Sequence, residues 1–193
     1  MKPISVIFFD FVGVLLIPYA QAEPNPLVDA VDARIGKVID DMQFVQQSLC
    51  DFSLDQEQFQ HVLDQVVQKY QPYTLLWNAL PALRQHFRLG IINNGTWLTY
   101  ARFNQRFCLE GTFDVFVSSA VEGVGKPNPR IFLLACEKLG VSPEECLFMD
   151  DAKENVAGAI QAGMQAIHWN TPENGYRQLA MWVKRVANAE MDH

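Results

Sequence analysis

The sequence predicts an α/β protein: a parallel sheet between two layers of helices, with a small helical segment inserted near its start. Three observations carry that expectation. Ile4 to Phe9 (ISVIFF) is β-branched and aromatic without polar alternation, the pattern of a strand covered on both faces. From Pro81 onward, strand-like and helix-like segments alternate, which makes βαβ units with right-handed crossovers. Between Pro18 and about Pro72 only helical periodicity is visible.

The elements follow in order. The first strand, Ile4 to Phe9, is expected at the centre of the sheet. From Asn25 the apolar residues Val28, Val31, Ile35, Val38, Ile39, Met42 and Val45 recur at steps of three and four, which predicts one amphipathic helix. Ser53 with Gln56 reads as a capping box. The stripe Phe59, Val62, Leu63, Val66, Val67 and Tyr70 then predicts a second helix. Residues 18–75 are therefore assigned to a helical cap, and residues 1–17 with 76–193 to the core. In the core the expected strands are Leu89 to Asn93, Phe113 to Ser118, Cys146 to Met149 and Ala166 to Trp169. The expected helices are Trp97 to Phe107, Pro129 to Leu139, Lys153 to Ala162 and one from about Tyr176.

Composition narrows the function classes. Of 193 residues, 49% are apolar and 19% charged, enough to bury a core and far from the composition of a disordered chain. The formal net charge is −7 with the basic residues scattered, so no nucleic-acid footprint is expected. The apolar run from Ile4 to Ile17 is interrupted by Asp10 and preceded only by Lys2. It is too short to span a bilayer and is not a signal segment, so no membrane partner is expected. Cys50, Cys108, Cys136 and Cys146 form no C-x-x-C pair; reduced, mostly buried thiols and a cytoplasmic location are the expectation. Oligomeric state has no signal here.

Open α/β sheets bind ligands at the carboxyl ends of their strands. Four polar groups follow strands: Asp10, then Asn93-Asn94-Gly95, then Lys126-Pro127, then Asp150-Asp151. An ionised Asp at a buried strand end needs compensation. Three carboxylates converging on one crevice repel unless a divalent ion joins them, and oxygen-only ligation favours magnesium. Lys126 and the Asn93 amide would donate to an anionic group, with backbone N–H groups around Phe11 to Gly13 completing a cradle.

The segments FFDFVGVLL, IINNGT, GKPNPRIF and FMDDAKENVAGAIQAGM, in this order, resemble the four motifs of the haloacid dehalogenase-like superfamily over nearly the whole chain outside the cap. The resemblance is nearest to the phosphatase-like branch that includes the epoxide hydrolase N-terminal domain and short-capped sugar phosphatases. It implies a three-layer Rossmann-like core and magnesium-dependent hydrolysis of a small phosphorylated metabolite through an aspartyl phosphate. By position, Asp10 is the implied nucleophile, Asn93 the phosphate-binding residue of the second motif and Lys126 the third-motif lysine. Asp150 and Asp151 are the acidic pair, and the carbonyl of Val12 is a further metal ligand. Asn94 and Lys126 stand with Asn93 as expected substrate contacts.

Two departures bear on the activity. Phosphatases of this superfamily usually carry a second Asp two residues after the nucleophile as general acid and base, and here that residue is Val12. Its loss is expected to slow hydrolysis of esters with poor leaving groups by roughly 10²- to 10⁴-fold. Asn93 for Ser or Thr is milder, since an amide N–H still donates. Dehalogenases of the superfamily also lack the second Asp, so haloacid dehalogenation is an alternative, as is a weakened domain that binds phosphorylated ligands or a partner. The identity of the substrate cannot be read from the cap.

Eight other positions carry expectations. Asn155 could orient Asp151 from one helical turn away, and Trp97, Tyr19 and Phe44 could line the cap side of the pocket. The histidines His61, His86, His168 and His193 are given surface or core roles only.

Overall fold

The computed structural model describes residues 3–20, 23–38 and 40–191, with side chains through Val186. Lys2, Ile39 and His193, named above, lie outside the described residues. Among these residues the elements run β1 (Val6–Phe9), β2 (Leu16–Pro18), α1 (Pro26–Asp32), α2 (Asp41–Asp51), α3 (Gln56–Gln68) and β3 (Tyr70–Pro72). They continue with α4 (Thr74–Leu83), β4 (Arg88–Asn93), α5 (Trp97–Phe107), α6 (Leu109–Thr112), β5 (Val115–Ser118), α7 (Ser119–Glu122) and α8 (Pro129–Leu139). A short 3-10 turn precedes β6 (Cys146–Asp150), followed by α9 (Lys153–Gln161), β7 (Gln165–His168) and α10 (Pro172–Met191).

The main sheet has the order β5-β4-β1-β6-β7, and every pairing in it is parallel. All four residues of β1 are buried, because the strand sits at the centre and helices cover both faces. Its side chains alternate as the pleat requires. Ile7 and Phe9 enter one core with Leu89, Ile91, Leu147, Met149 and Trp169. Val6 and Phe8 enter the other with Ile92, Ile131, Phe132 and Phe148. The chain leaves β1 toward β4 and β5 on one side and later returns to β6 and β7 on the other. The strand order therefore reverses beside β1, and the carboxyl ends of β1, β4 and β6 border one crevice.

The sequence between β2 and β3 departs from expectation in three ways. The helix expected from Asn25 to Val45 is two helices. Asn25 caps α1, accepting from Leu27 N–H (3.2 Å) and Val28 N–H (3.3 Å), and Pro26 opens it. Gly36 then adopts φ +82°, where a Cβ would stand 2.5 Å from the Asn94 carbonyl oxygen. Asp40 starts α2 by accepting from Gln43 N–H at 2.7 Å. Apolar spacing of three and four persists across such a break, so periodicity alone does not reveal it.

The capping box belongs to Asp55 and Gln58, with bonds of 2.8 and 2.9 Å, and not to Ser53, which sits in the left-handed region at φ 52°. The third departure is an antiparallel pair, Leu16 with Pro72 and Pro18 with Tyr70, where no strand is expected. Each strand has three residues, too short for alternation to register. In the core, α4 had no counterpart among the expected elements, and Pro81 lies inside it. Cys50 and Cys108 are exposed, against the expectation of mostly buried thiols, while Cys136 and Cys146 are buried with their sulfurs 3.6 Å apart.

Candidate active site

Strand ends bring the chemistry together. Asp10 follows β1, with its N–H on the Met149 carbonyl of β6 at 2.8 Å, and Asp150 closes β6. Lys126 arrives from the loop after α7. Its side chain is 1% exposed, and its ammonium lies 2.5 Å from Asp10 Oδ1 and 2.7 Å from Asp150 Oδ2. Oxygens of Asp10, Asp150 and Asp151 all lie within 4.8 Å of one another. Four of the residues singled out in the sequence thus converge on one point.

Each carboxylate has its own surroundings. Asp150 is fully buried, and Oδ1 accepts from the N–H of Ala152 (2.8 Å) and from Asn155 Nδ2 (3.0 Å). With the Lys126 bond it receives three donors, leaving about one of the roughly four acceptor sites of a carboxylate. Asn155 therefore orients Asp150, not Asp151 as expected. Asp151 is exposed, and its carbonyl accepts from His168 Nε2 at 2.9 Å. Its carboxyl is held above the usual range by partial burial and by Asp150, against the pull of Lys126.

Asp10 is raised to about 7, first by burial and then by Asp150 and Asp151, despite the attraction of Lys126. Lys126 is itself raised, because the two carboxylates outweigh its burial. One ammonium balances one of its two close carboxylates, so ionisation of Asp10 leaves negative charge that a further cation would answer.

The donor set fits a hard divalent cation. It consists of oxygens only, and its negative charge exceeds the local positive charge. Gly13 has φ +104°, and a Cβ there would stand 2.5 Å from Asp151 Oδ2, so the backbone after Asp10 approaches the second carboxylate as only glycine allows.

The second-motif loop is fastened on both sides. The Gly95 N–H donates to Ser119 Oγ at 3.1 Å and the Gly95 carbonyl accepts from Ser118 Oγ at 2.8 Å. Asn94 Oδ1 accepts from the Lys126 N–H and Asn94 Nδ2 donates to the Lys126 carbonyl, both at 2.8 Å. Asn94, expected as a substrate contact, borders the cavity, and its side chain also clamps the lysine loop. The cradle expected from Phe11 to Gly13 is smaller than foreseen, because the Gly13 N–H already donates to the Leu16 carbonyl at 2.8 Å.

A cavity of about 380 Å³ opens over this point, bordered on the core side by Asp10, Val12, Asn93 and Lys126. On the far side stand Asp29 and Asp32 of α1 and Tyr70 of β3, which the sequence reading passed over. The available signal was an acidic pair three residues apart on one face of a helix whose other face is Val28 and Val31. Tyr19, Phe44 and Trp97 do not border the cavity. Tyr19 is exposed and accepts from Arg106 at 3.3 Å. Phe44 is buried against Phe59 at 5.8 Å, and Trp97 stacks on Tyr100 at 4.3 Å.

A parallel sheet with an acid at the end of its central strand, a buried lysine and a second acidic pair defines a class, and its family model agrees. The chain belongs to the haloacid dehalogenase-like hydrolase family, whose model matches residues 4–163. It is 40% identical over 94 residues to phosphatase MT3486 of Mycobacterium tuberculosis, covering 46% of this chain and 43% of that protein. The chain therefore spans less than half the length of that relative.

Its fold is similar to a haloacid dehalogenase family enzyme of Bacteroides thetaiotaomicron, BT-2542, crystallised with magnesium and inorganic phosphate. The TM-score is 0.69 at 17% identity, over 86% of this chain and 93% of that one. A 2-haloacid dehalogenase from Pseudomonas syringae shares the fold at a TM-score of 0.66 and 20% identity, over 94% of this chain and 99% of that one. No helix among the described residues is long and apolar enough to cross a membrane.

Proposed function

We propose that this chain is a magnesium-dependent phosphatase acting on a small phosphate ester, with Asp10 as nucleophile. The observation that carries the reading is the Lys126 ammonium held between Asp10 and Asp150 beside a third carboxylate, Asp151. Residues 18–75 act as the cap over the core formed by 1–17 and 76–193.

Asp10 and Asp151, with the Val12 carbonyl, would hold the ion, and Asp150 adds its charge while anchoring Lys126. Bound there, magnesium supplies positive charge for the transferring phosphoryl group. An Asp10 oxygen attacks phosphorus in line, the P–O ester bond breaks, and the alkoxide leaves with the bond's electron pair and takes a proton from solvent. Lys126 has a third N–H beyond its two carboxylate bonds, and with Asn93 it steadies the phosphoryl oxygens. Water then attacks phosphorus and frees Asp10 with inorganic phosphate.

Val12 offers no proton to the departing alkoxide, so esters of acidic alcohols are the better substrates. Val12→Asp is expected to raise kcat on a simple alkyl phosphate by roughly 10²-fold while changing p-nitrophenyl phosphate little. Equal effects on both esters would show that proton delivery does not limit the reaction.

The rival reading, dehalogenation, is favoured by Val12 alone, since halide leaves without a proton. Three clustered carboxylates weigh against it, because displacement of halide by Asp10 needs no divalent ion. The deciding assay follows p-nitrophenyl phosphate and short 2-haloacids in parallel, with magnesium and with chelator. Phosphate release that chelator stops is expected. Halide release indifferent to chelator would replace this reading, and phosphate that binds without turnover would leave a binding domain.

A further inference from the structure

The far wall of the cavity is built from one charged network. Lys69 Nζ donates to Asp29 Oδ1 at 2.6 Å and to Asp32 Oδ2 at 2.7 Å, and the Tyr70 hydroxyl donates to the same Asp32 oxygen at 2.7 Å. The Asp32 side chain is 17% exposed and that of Asp29 50%. Among the described residues these bonds occupy one oxygen of each carboxylate, so Asp32 Oδ1 and Asp29 Oδ2 remain as acceptors. Two carboxylates against one ammonium give the wall a net charge of −1. The network is fixed before any ligand arrives, since every donor in it comes from the adjoining α3–β3 segment. The apolar residues Ala33, Ile35, Val66 and Phe103 line the same cavity.

Resting on the phosphatase reading, we propose that Asp29 and Asp32 form a charge filter for the alcohol half of the substrate. It accepts small phosphate esters whose alcohol carries an ammonium or hydroxyl donor and rejects those with a second anion. The phosphoryl group is held at the core and is common to every ester compared, so its charge cancels from a comparison among them. The alcohol half projects toward the cap, where an ammonium or hydroxyl meets free carboxylate oxygens and a carboxylate or second phosphate meets like charge. Discrimination of this kind comes as much from repulsion of the wrong ligand as from attraction of the right one. Nothing in the chemistry at phosphorus requires Asp29 or Asp32, so their effect falls on choice among esters.

The test uses three esters of matched shape: 4-(aminomethyl)phenyl, 4-(hydroxymethyl)phenyl and 4-carboxyphenyl phosphate. In the unmodified protein with magnesium, kcat/KM is expected to fall in that order, by about tenfold per step at low salt. High ionic strength should compress the series, because the wall is partly exposed. The variant Asp29→Asn, which leaves one carboxylate against one ammonium, should flatten the order, and Lys69→Met, which leaves the wall more negative, should steepen it.

The two variants move the ratio in opposite directions, so a fold-wide defect cannot imitate both, and thermal melts verify that each is folded. A series unchanged by either substitution, or led by the carboxyphenyl ester, overturns the filter. Loss of magnesium-dependent p-nitrophenyl phosphate turnover in the unmodified chain sinks the phosphatase reading instead. Turnover present with a flat series sinks only the filter.

Discussion

Asp10→Asn is expected to abolish phosphate-ester turnover, by on the order of 10⁴-fold or more, and at the same time to raise the melting temperature of the magnesium-free protein. The first effect follows from removing the attacking oxygen. The second follows from the charge count: the buried carboxyl is raised to about 7 by burial and by its acidic neighbours. Between its ordinary range near 4 and that value, the folded chain holds one more proton than the unfolded chain. Stability therefore falls as pH rises through this window and stays reduced above it.

Asparagine never ionises and escapes that loss. The two proteins should melt alike near pH 5, and the variant should melt several degrees higher near pH 8 in chelator. Added magnesium should reverse the ranking, because the ion favours the ionised acid. Melts across pH with and without metal check this; a variant less stable than the parent at pH 8 in chelator would show that the carboxylate is not under electrostatic stress.

Lys126→Met has the opposite signature, costing both activity and stability. The ammonium is buried and is the close cation between Asp10 and Asp150. Removing one partner from a buried ionic cluster costs about 3–5 kcal/mol, which for a chain of this size lowers the melting temperature by on the order of 10 °C. Methionine keeps the apolar stem over the Phe148 ring, from which the ammonium stands 5.5 Å, so the loss reports charge more than packing. Lys126→Arg should not restore turnover, since a planar fork cannot occupy the position of a compact ammonium between two carboxylates. A Lys126→Met protein that melts with its parent would mean the acids are balanced by something other than this lysine.

How much of this was legible in the sequence depends on which physical signal each element leaves. Helices α5 and α8 coincide with their expected bounds because their apolar stripes begin at clear caps, Thr96 and Asn128. The parallel sheet was legible because buried strands such as β1 leave unbroken apolar runs. Asp10, Lys126, Asp150 and Asp151 stood out because a charge at the end of such a run is costly unless something answers it. The break at Gly36 was not legible, since the heptad-like spacing runs on through it and only the approach to Asn94 makes glycine necessary. The role of Asn94 was hidden for a related reason: its two bonds to Lys126 span 32 residues, and no local pattern encodes a contact that distant. Asp29 and Asp32 look like the solvated face of a helix until β3 brings Tyr70 against them.

Gly36 and Asn94 together bear on how this molecule could change over evolutionary time. The turn that links α1 and α2 rests directly on the backbone of Asn94, and the side chain of that residue holds the loop that carries Lys126. If α1 and α2 belong to the proposed cap, specificity and reactivity are therefore not separable modules. On the proposed division, a cap exchanged for one of another shape would shift the lysine along with the pocket, so new substrate ranges would be more accessible through side-chain replacement within the proposed cap than through its wholesale substitution.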